Sequence, residues 1–195
     1  MMKSKILISY PDSVFNKTKD TPIFIADFRE RTQNIRGVEI SVDQPQDPNA
    51  PNEEMPCFVL NNPSRQTLDF NIFDDNQFKD EDGKDLKHGE GCFFPTKNDG
   101  RSWLCILEIK DCAPRNVSSY NKDVFEKVES MYAIFRGKVG IPNAIYFIVS
   151  FPQKKTSFNQ YIYEDYVEKK RMKKAFMVAT NSATVIDNHI FYPYK

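Results

Sequence analysis

Two glutamates and a lysine are the residues of this sequence best spaced to do chemistry together. Glu90 stands just before the apolar run Cys92-Phe93-Phe94, and Glu108-Ile109-Lys110 closes the apolar run that starts at Trp103. Between the two runs lies Lys97-Asn98-Asp99-Gly100, whose Asp-Gly pair supplies the positive-φ residue that tight hairpins require. In an antiparallel hairpin the start of the first strand lies beside the end of the second. Residues two apart on a strand share a face, so Glu108 and Lys110 point the same way. The three ionisable groups are therefore expected to converge at one edge of a sheet. Such a cluster suits phosphodiester hydrolysis. Two carboxylates can hold one or two Mg²⁺ (or Mn²⁺) ions, which take oxygen ligands and keep several waters. The metal polarises the phosphate and lowers the pKa of bound water. A nearby lysine positions that water or neutralises charge building on the phosphate. The expected catalytic residues are Glu90, Glu108 and Lys110, with Glu90 and Glu108 as metal ligands.

The order strand, turn, strand ending in Glu-x-Lys, helix, strand resembles the core of the PD-(D/E)xK nuclease superfamily, the restriction-endonuclease-like fold. The resemblance covers Glu90 to Phe151. It implies that Glu108 and Lys110 form the (D/E)xK part and that Glu90 is the first acidic residue. It also implies a Mg²⁺-dependent endo- or exonuclease. The family usually places Asp, often after Pro, at the first position; here Glu90 sits between Gly89 and Gly91. Asp99 is a rival for that role at the far end of the hairpin. Many members add an acidic residue from an N-terminal helix, for which Glu30, Glu53 and Glu54 are candidates. The Gln-containing motif that some members carry after the lysine is absent. The alternative is a non-catalytic protein-interaction module on a degenerate nuclease-like fold, with Glu108 and Lys110 an ordinary pair at a strand end.

The elements that must position these residues fall into three stretches of one expected domain, 1–195. Residues 1–62 read as β-rich. Ile6 to Tyr10 suggests a short strand, Pro22 to Phe28 is rich in β-formers, and Gly37 to Val42 alternates with period two. Asp43 to Pro56, with four prolines, reads as a loop before the apolar Cys57 to Leu60. Residues 63–91 read as a solvated acidic loop, and Asp80-x-Asp82-Gly83 places its Gly too early for a calcium loop. Residues 92–195 read as an α/β core. Trp103 to Lys110 is apolar and then alternates, as a strand buried on both faces does where its polar end emerges. Asn121 to Arg136 carries Val124, Val128, Met131 and Phe135 at helical spacing, with Ser118 or Ser119 as cap and Gly137 past the end. Ala144 to Phe151 is a strand, Tyr161 to Lys174 a second helix, and Phe176 to Thr180 and Val185 to Tyr192 two strands joined at Asn181-Ser182. The helix between the strands at Trp103 and Ala144 is a crossover, so those strands are expected to be parallel. The predicted fold is α/β, a central mixed β-sheet flanked by helices.

Composition narrows the classes. With 195 residues, 40% hydrophobic and 13% aromatic, the chain can bury a core and is too apolar to be disordered. No apolar run is long enough to span a membrane, and the start lacks the length and cleavage site of a signal peptide. Cys57, Cys92, Cys105 and Cys112 form no CxxC pair, so reduced thiols in a cytoplasmic setting are expected. The formal net charge of zero argues against a bulk nucleic-acid coat protein. Lys169, Lys170, Arg171, Lys173 and Lys174 form the basic cluster that could hold a nucleic-acid backbone, or simply a solvated helix end that suits the macrodipole. His88, two residues before Glu90, reads as a loop histidine.

Overall fold

A computed structural model describes residues 2–97, 103–140, 143–154, 157–186 and 189–191. In chain order the elements are α1 (Met2–Ser9), β1 (Asn16–Thr18), β2 (Ile23–Asp27), α2 (Arg29–Thr32), β3 (Val38–Ser41), β4 (Gln46–Asp47), β5 (Ala50–Glu54), β6 (Phe58–Asn61) and β7 (Leu68–Ile72). They continue with β8 (Gly91–Pro95), β9 (Trp103–Ile109), α3 (Val117–Ile134), β10 (Ala144–Ser150), α4 (Gln160–Lys169), β11 (Ala175–Ala179), β12 (Ser182–Ile186) and β13 (His189–Phe191).

The fold is mixed α/β. The main sheet has the order β1-β7-β8-β9-β10-β11. Its β1, β7, β8 and β9 are antiparallel neighbours, and β9, β10 and β11 run parallel. Both parallel steps are crossovers through a helix, α3 and then α4; the sequence pattern anticipated the first of them. A second sheet has the order β13-β12-β6-β2-β3.

Strand β9 shows why the layers stack as they do. All seven residues are buried, and successive side chains point to opposite faces. Leu104 and Ile106 join a cluster with Val124, Val128 and Met131 of α3 and with Ile6 of α1. Trp103, Cys105, Leu107 and Ile109 join another with Ile23, Ile25, Phe58 and Leu60 of the second sheet. Helices therefore cover one face of the main sheet, and the second sheet covers the other. The expectation of helices flanking the sheet is corrected on that second face. Strands β6 and β12 bury alternate residues, the pattern of a sheet with one packed face.

Several element assignments change. Ile6 to Tyr10 is not a strand but the end of α1, because Met2 and Ile6, at helical spacing, enter the core while Ile8 stays exposed. The stretch read as an acidic loop contains β7. Its alternating polar residues Asp69 and Asn71 are buried rather than solvated, and Asn71 donates to Val14 O at 2.9 Å. The proline-rich stretch folds β4 and β5 into a small hairpin. Helix α3 starts at Val117, so Ser118 and Ser119 lie inside its first turn. Gly137 falls within a wider turn, Phe135–Val139, that prolongs the helix. Strands β11 and β12 do not pair with each other; they belong to different sheets, and the hairpin is β12–β13. The Asp99-Gly100 turn lies outside the described residues.

All four cysteines are free thiols. No helix among the described residues is long and apolar enough to cross a membrane.

Candidate functional site

The register of β8 on β9 builds the site. Gly91 pairs with Leu107 at the end of the ladder, and the Glu90 amide donates to Leu107 O at 2.8 Å, so Glu90 leaves the ladder beside Glu108, the next residue of β9. Glu90 shares a face with Cys92 and Glu108 with Ile106, each two residues apart on its strand. That face is the helix side, since Cys92 and Phe94 on β8 and Ile106 on β9 all join the helix-side cluster. The flanking glycines are required by close approach. A Cβ on Gly89 would lie 2.8 Å from Leu107 O, and one on Gly91 would lie 2.6 Å from Asn71 O.

The two carboxylates are 5% and 4% exposed. Burying like charges beside each other is unfavourable unless cations attend them. Three do. Lys110 Nζ lies 3.0 Å from Glu108 Oε1. Lys127 Nζ, from α3, lies 2.8 Å from Glu108 Oε1 and 3.8 Å from Glu90 Oε1. Arg29 Nη2 pairs with Glu90 Oε2. Arg29 is itself aimed by buried Asp27, which accepts from Nε at 2.9 Å and Nη2 at 2.6 Å, a two-pronged pairing with geometric specificity. On the solvent side Asp123 lies 3.6 Å from Lys110 and 3.1 Å from Lys87. Arg31 donates to Asp111 at 2.7 Å and so ties α2 to the end of β9.

The charges respond to burial and to one another. Burial and then the Glu108 charge push the Glu90 carboxyl up to about 7, against the pull of Arg29 and Lys127. For Lys110, burial opposes the charged form, but Glu108 and Glu90 hold the pKa above its ordinary value. Burial also works to raise Asp123, yet Lys87, Lys127 and Lys110 keep it below the usual carboxylate range. Glu108 Oε2 is buried and accepts no hydrogen bond among the described residues. A buried carboxylate oxygen without a donor is costly.

Glu90, Glu108 and Lys110 are thus brought together, as the hairpin reading anticipated. The other sequence candidates are not. His88 turns away, with Nδ1 2.7 Å from Gly89 O and its ring against Phe73 and Phe78. Glu30 lines the neighbouring cleft without joining the carboxylate pair, and Glu53 and Glu54 are exposed on β5. Asp99 lies outside the described residues. The basic cluster sits at the other end of the main sheet. Ala175, just after it, pairs with Ile145 near the start of β10, whereas Glu108 pairs with Val149 near its end. That separation is about 13 Å along the strands. Lys169 and Lys170 are occupied by Asp165 and Glu129.

Sequence reasoning missed Lys127 and Arg29. The signal for Lys127 was present: Asp123 and Lys127 are four apart and abut the inward-facing Val124 and Val128.

Beside the cluster opens a cleft of about 240 Å³ lined by Asp27, Arg29, Asn34, Lys110, Asp111 and Tyr120, among others. Among the described residues no group of three or more His, Cys, Asp or Glu side chains converges to cage a metal ion. A Mg²⁺ ion is commonly held by only one or two carboxylates, with water and phosphate completing its shell. Glu90 and Glu108 supply that number of carboxylates, with Oε2 of Glu108 undonated among the described residues, and both lie behind the residues that line the cleft. Comparison of the chain with protein-family models, curated proteins and solved structures gives no significant match.

Proposed function

We propose that this chain is a metal-dependent, nuclease-like phosphodiesterase built on a restriction-endonuclease-like core. Glu90 and Glu108 would hold Mg²⁺ or Mn²⁺, and Lys110 would assist the attacking water. The observation that carries this reading is the convergence of Glu90 and Glu108 on one ammonium, Lys127, with Lys110 3.0 Å from Glu108, at a buried sheet end beside an open cleft. The succession β8, β9, α3, β10, with β9 and β10 parallel, supports the core assignment. The second sheet against the other face is this chain's own addition.

When bound, the metal supplies a polarised phosphate and an acidified water. The chain's own groups do the rest. Lys110, 20% exposed, is held between Glu108 and the cleft, where its ammonium can orient a water or meet a phosphate oxygen. Arg29, fixed by Asp27, also lines the cleft with its guanidinium, a group suited to phosphate. Fixed cations aimed at developing negative charge need no reorganisation when the reaction occurs.

The test is cleavage of single-stranded and duplex DNA and RNA with Mg²⁺ or Mn²⁺, comparing wild type with Glu108→Ala and Lys110→Ala. Each variant should lose cleavage by roughly a hundredfold or more while keeping its circular dichroism spectrum. Undiminished cleavage in both variants removes the reading.

A second reading is a non-catalytic interaction module on the same scaffold. It is favoured by the completeness of the ion network, in which Arg29, Lys110 and Lys127 already neutralise both carboxylates. It predicts a folded protein with neither cleavage nor metal binding.

A further inference from the structure

The three cations around the carboxylate pair are not equivalent. Of the two glutamates, Lys110 contacts only Glu108, through Oε1, and Arg29 contacts only Glu90, through Oε2. Lys127 alone contacts both, meeting Oε1 of each from 2.8 and 3.8 Å. Its ammonium therefore stands in the space between the two carboxylates. A divalent ion shared by Glu90 and Glu108 would need that same space.

We infer that Lys127 is a built-in occupant of the cation position, and that its ammonium must withdraw before a divalent ion can be held there. This inference rests on the metal-site reading above. Two buried carboxylates facing each other need a cation at all times, because leaving them unpaired is costly. Lys127 meets that need from within the chain. Its fit is incomplete, since Glu108 Oε2 is buried and receives no donor among the described residues while the ammonium sits on Oε1. A doubly charged ion able to accept more carboxylate oxygens satisfies the pair better than a single ammonium does.

A destination for the withdrawn ammonium is also in place. Asp123 lies one turn back on α3, with Oδ2 4.0 Å from Lys127 Nζ. Helical side chains lean toward the N-terminal turn, so the swing from the carboxylate pair to Asp123 follows the natural direction of the Lys127 stem. Lys127 is 17% exposed, close enough to solvent for this movement. In its withdrawn position the ammonium joins Lys110 and Lys87 around Asp123, on the solvent side of the carboxylates. The device makes the resting site self-neutralised and sets metal affinity by competition within one molecule.

The test is calorimetric titration of MnCl₂ into metal-free wild type, Lys127→Gln, Lys127→Met and the double variant Lys127→Gln/Glu108→Gln, with urea midpoints measured with and without Mn²⁺. The Gln variant keeps a donor for Glu108 without the charge, so it guards against a Met variant that fails to fold. The inference expects both single variants to bind Mn²⁺ at least about tenfold more tightly than wild type. It also expects a larger Mn²⁺-induced rise of the urea midpoint, and loss of both effects in the double variant. If wild type binds Mn²⁺ and Lys127→Gln binds it equally or more weakly, the competition is overturned and the metal site stands. If none of the proteins binds at millimolar Mn²⁺, the competition and the metal site fall together.

Discussion

The end of the β8–β9 hairpin and the basic cluster after α4 both concentrate charge, and the structure treats them in opposite ways. At the hairpin end, Glu90 and Glu108 are buried and three cations converge on them. At the cluster, Lys169 and Lys170 are exposed and each is matched by a nearby acid, Asp165 on its own helix and Glu129 on α3. The difference lies in what positions each set. Strand pairing holds Glu90 beside Glu108, because a slip of β8 by one residue would turn Glu90 to the face opposite Glu108. Charges in the last turn of a helix are held by long flexible stems and screened by water, so their pairs contribute little. Charged residues carry chemistry where the backbone forces them together against their own repulsion.

The sharpest way to break this contrast is to delete charge on each side. Glu108→Ala should abolish cleavage. It should also destabilise the fold by about 3 kcal/mol, since it leaves Lys127 and Lys110 partly buried without their partner. Urea denaturation measures the cost. A midpoint unchanged by this substitution would mean that the network is loosely solvated after all.

Next comes pH. The Glu90 carboxyl is raised from an ordinary value of 4.5 to about 7. A group with a raised folded-state pKa binds more protons folded than unfolded between those values, so stability must fall as pH rises through that window. The loss is about 3 kcal/mol when the whole shift is expressed. Denaturation of the metal-free protein across pH 4.5 to 8 should show the decline, and Glu90→Gln should flatten it. Asp123 acts with the opposite sign, being held below its ordinary 3.8. Its contribution is present above that value and fades as pH falls below it. A metal-free wild type whose stability is flat from pH 5 to 8 would contradict the picture of a strained carboxylate pair.

The smallest effect belongs to the other region. Lys169→Ala with Lys170→Ala should leave both the urea midpoint and Mg²⁺-dependent cleavage where they are. A large loss of cleavage in that variant, with metal affinity unchanged, would restore the cluster as a nucleic-acid contact despite its place at the far end of the sheet.

Much of this geometry was legible in the sequence because strand periodicity is a strong constraint. The run Trp103 to Ile109 announces burial on both faces, but its charged end reads as emerging from the sheet, whereas the fold buries Glu108. From the hairpin pattern alone the convergence of Glu90, Glu108 and Lys110 follows. Lys127 was hidden because its helix reads as amphipathic, and an amphipathic pattern does not say which charged residue at the edge of the apolar stripe turns inward. Arg29 was hidden because its approach depends on a second sheet packed against the first. That sheet depends on β6 pairing with β2 and with β12, contacts distant in sequence that no local pattern specifies. Strand β7 was hidden because Asp69 and Asn71 read as solvated, whereas the fold buries them and satisfies Asn71 through Val14 and Gln77.

The central claim is that the Glu90–Glu108 pair is a cation site whose resting occupant is Lys127. Anomalous diffraction from crystals grown with MnCl₂ tests it most directly. The account predicts an anomalous peak within about 2.3 Å of oxygens from both carboxylates, with the Lys127 ammonium turned toward Asp123. No peak at millimolar Mn²⁺, or a peak elsewhere with Lys127 still between the two glutamates, would contradict it.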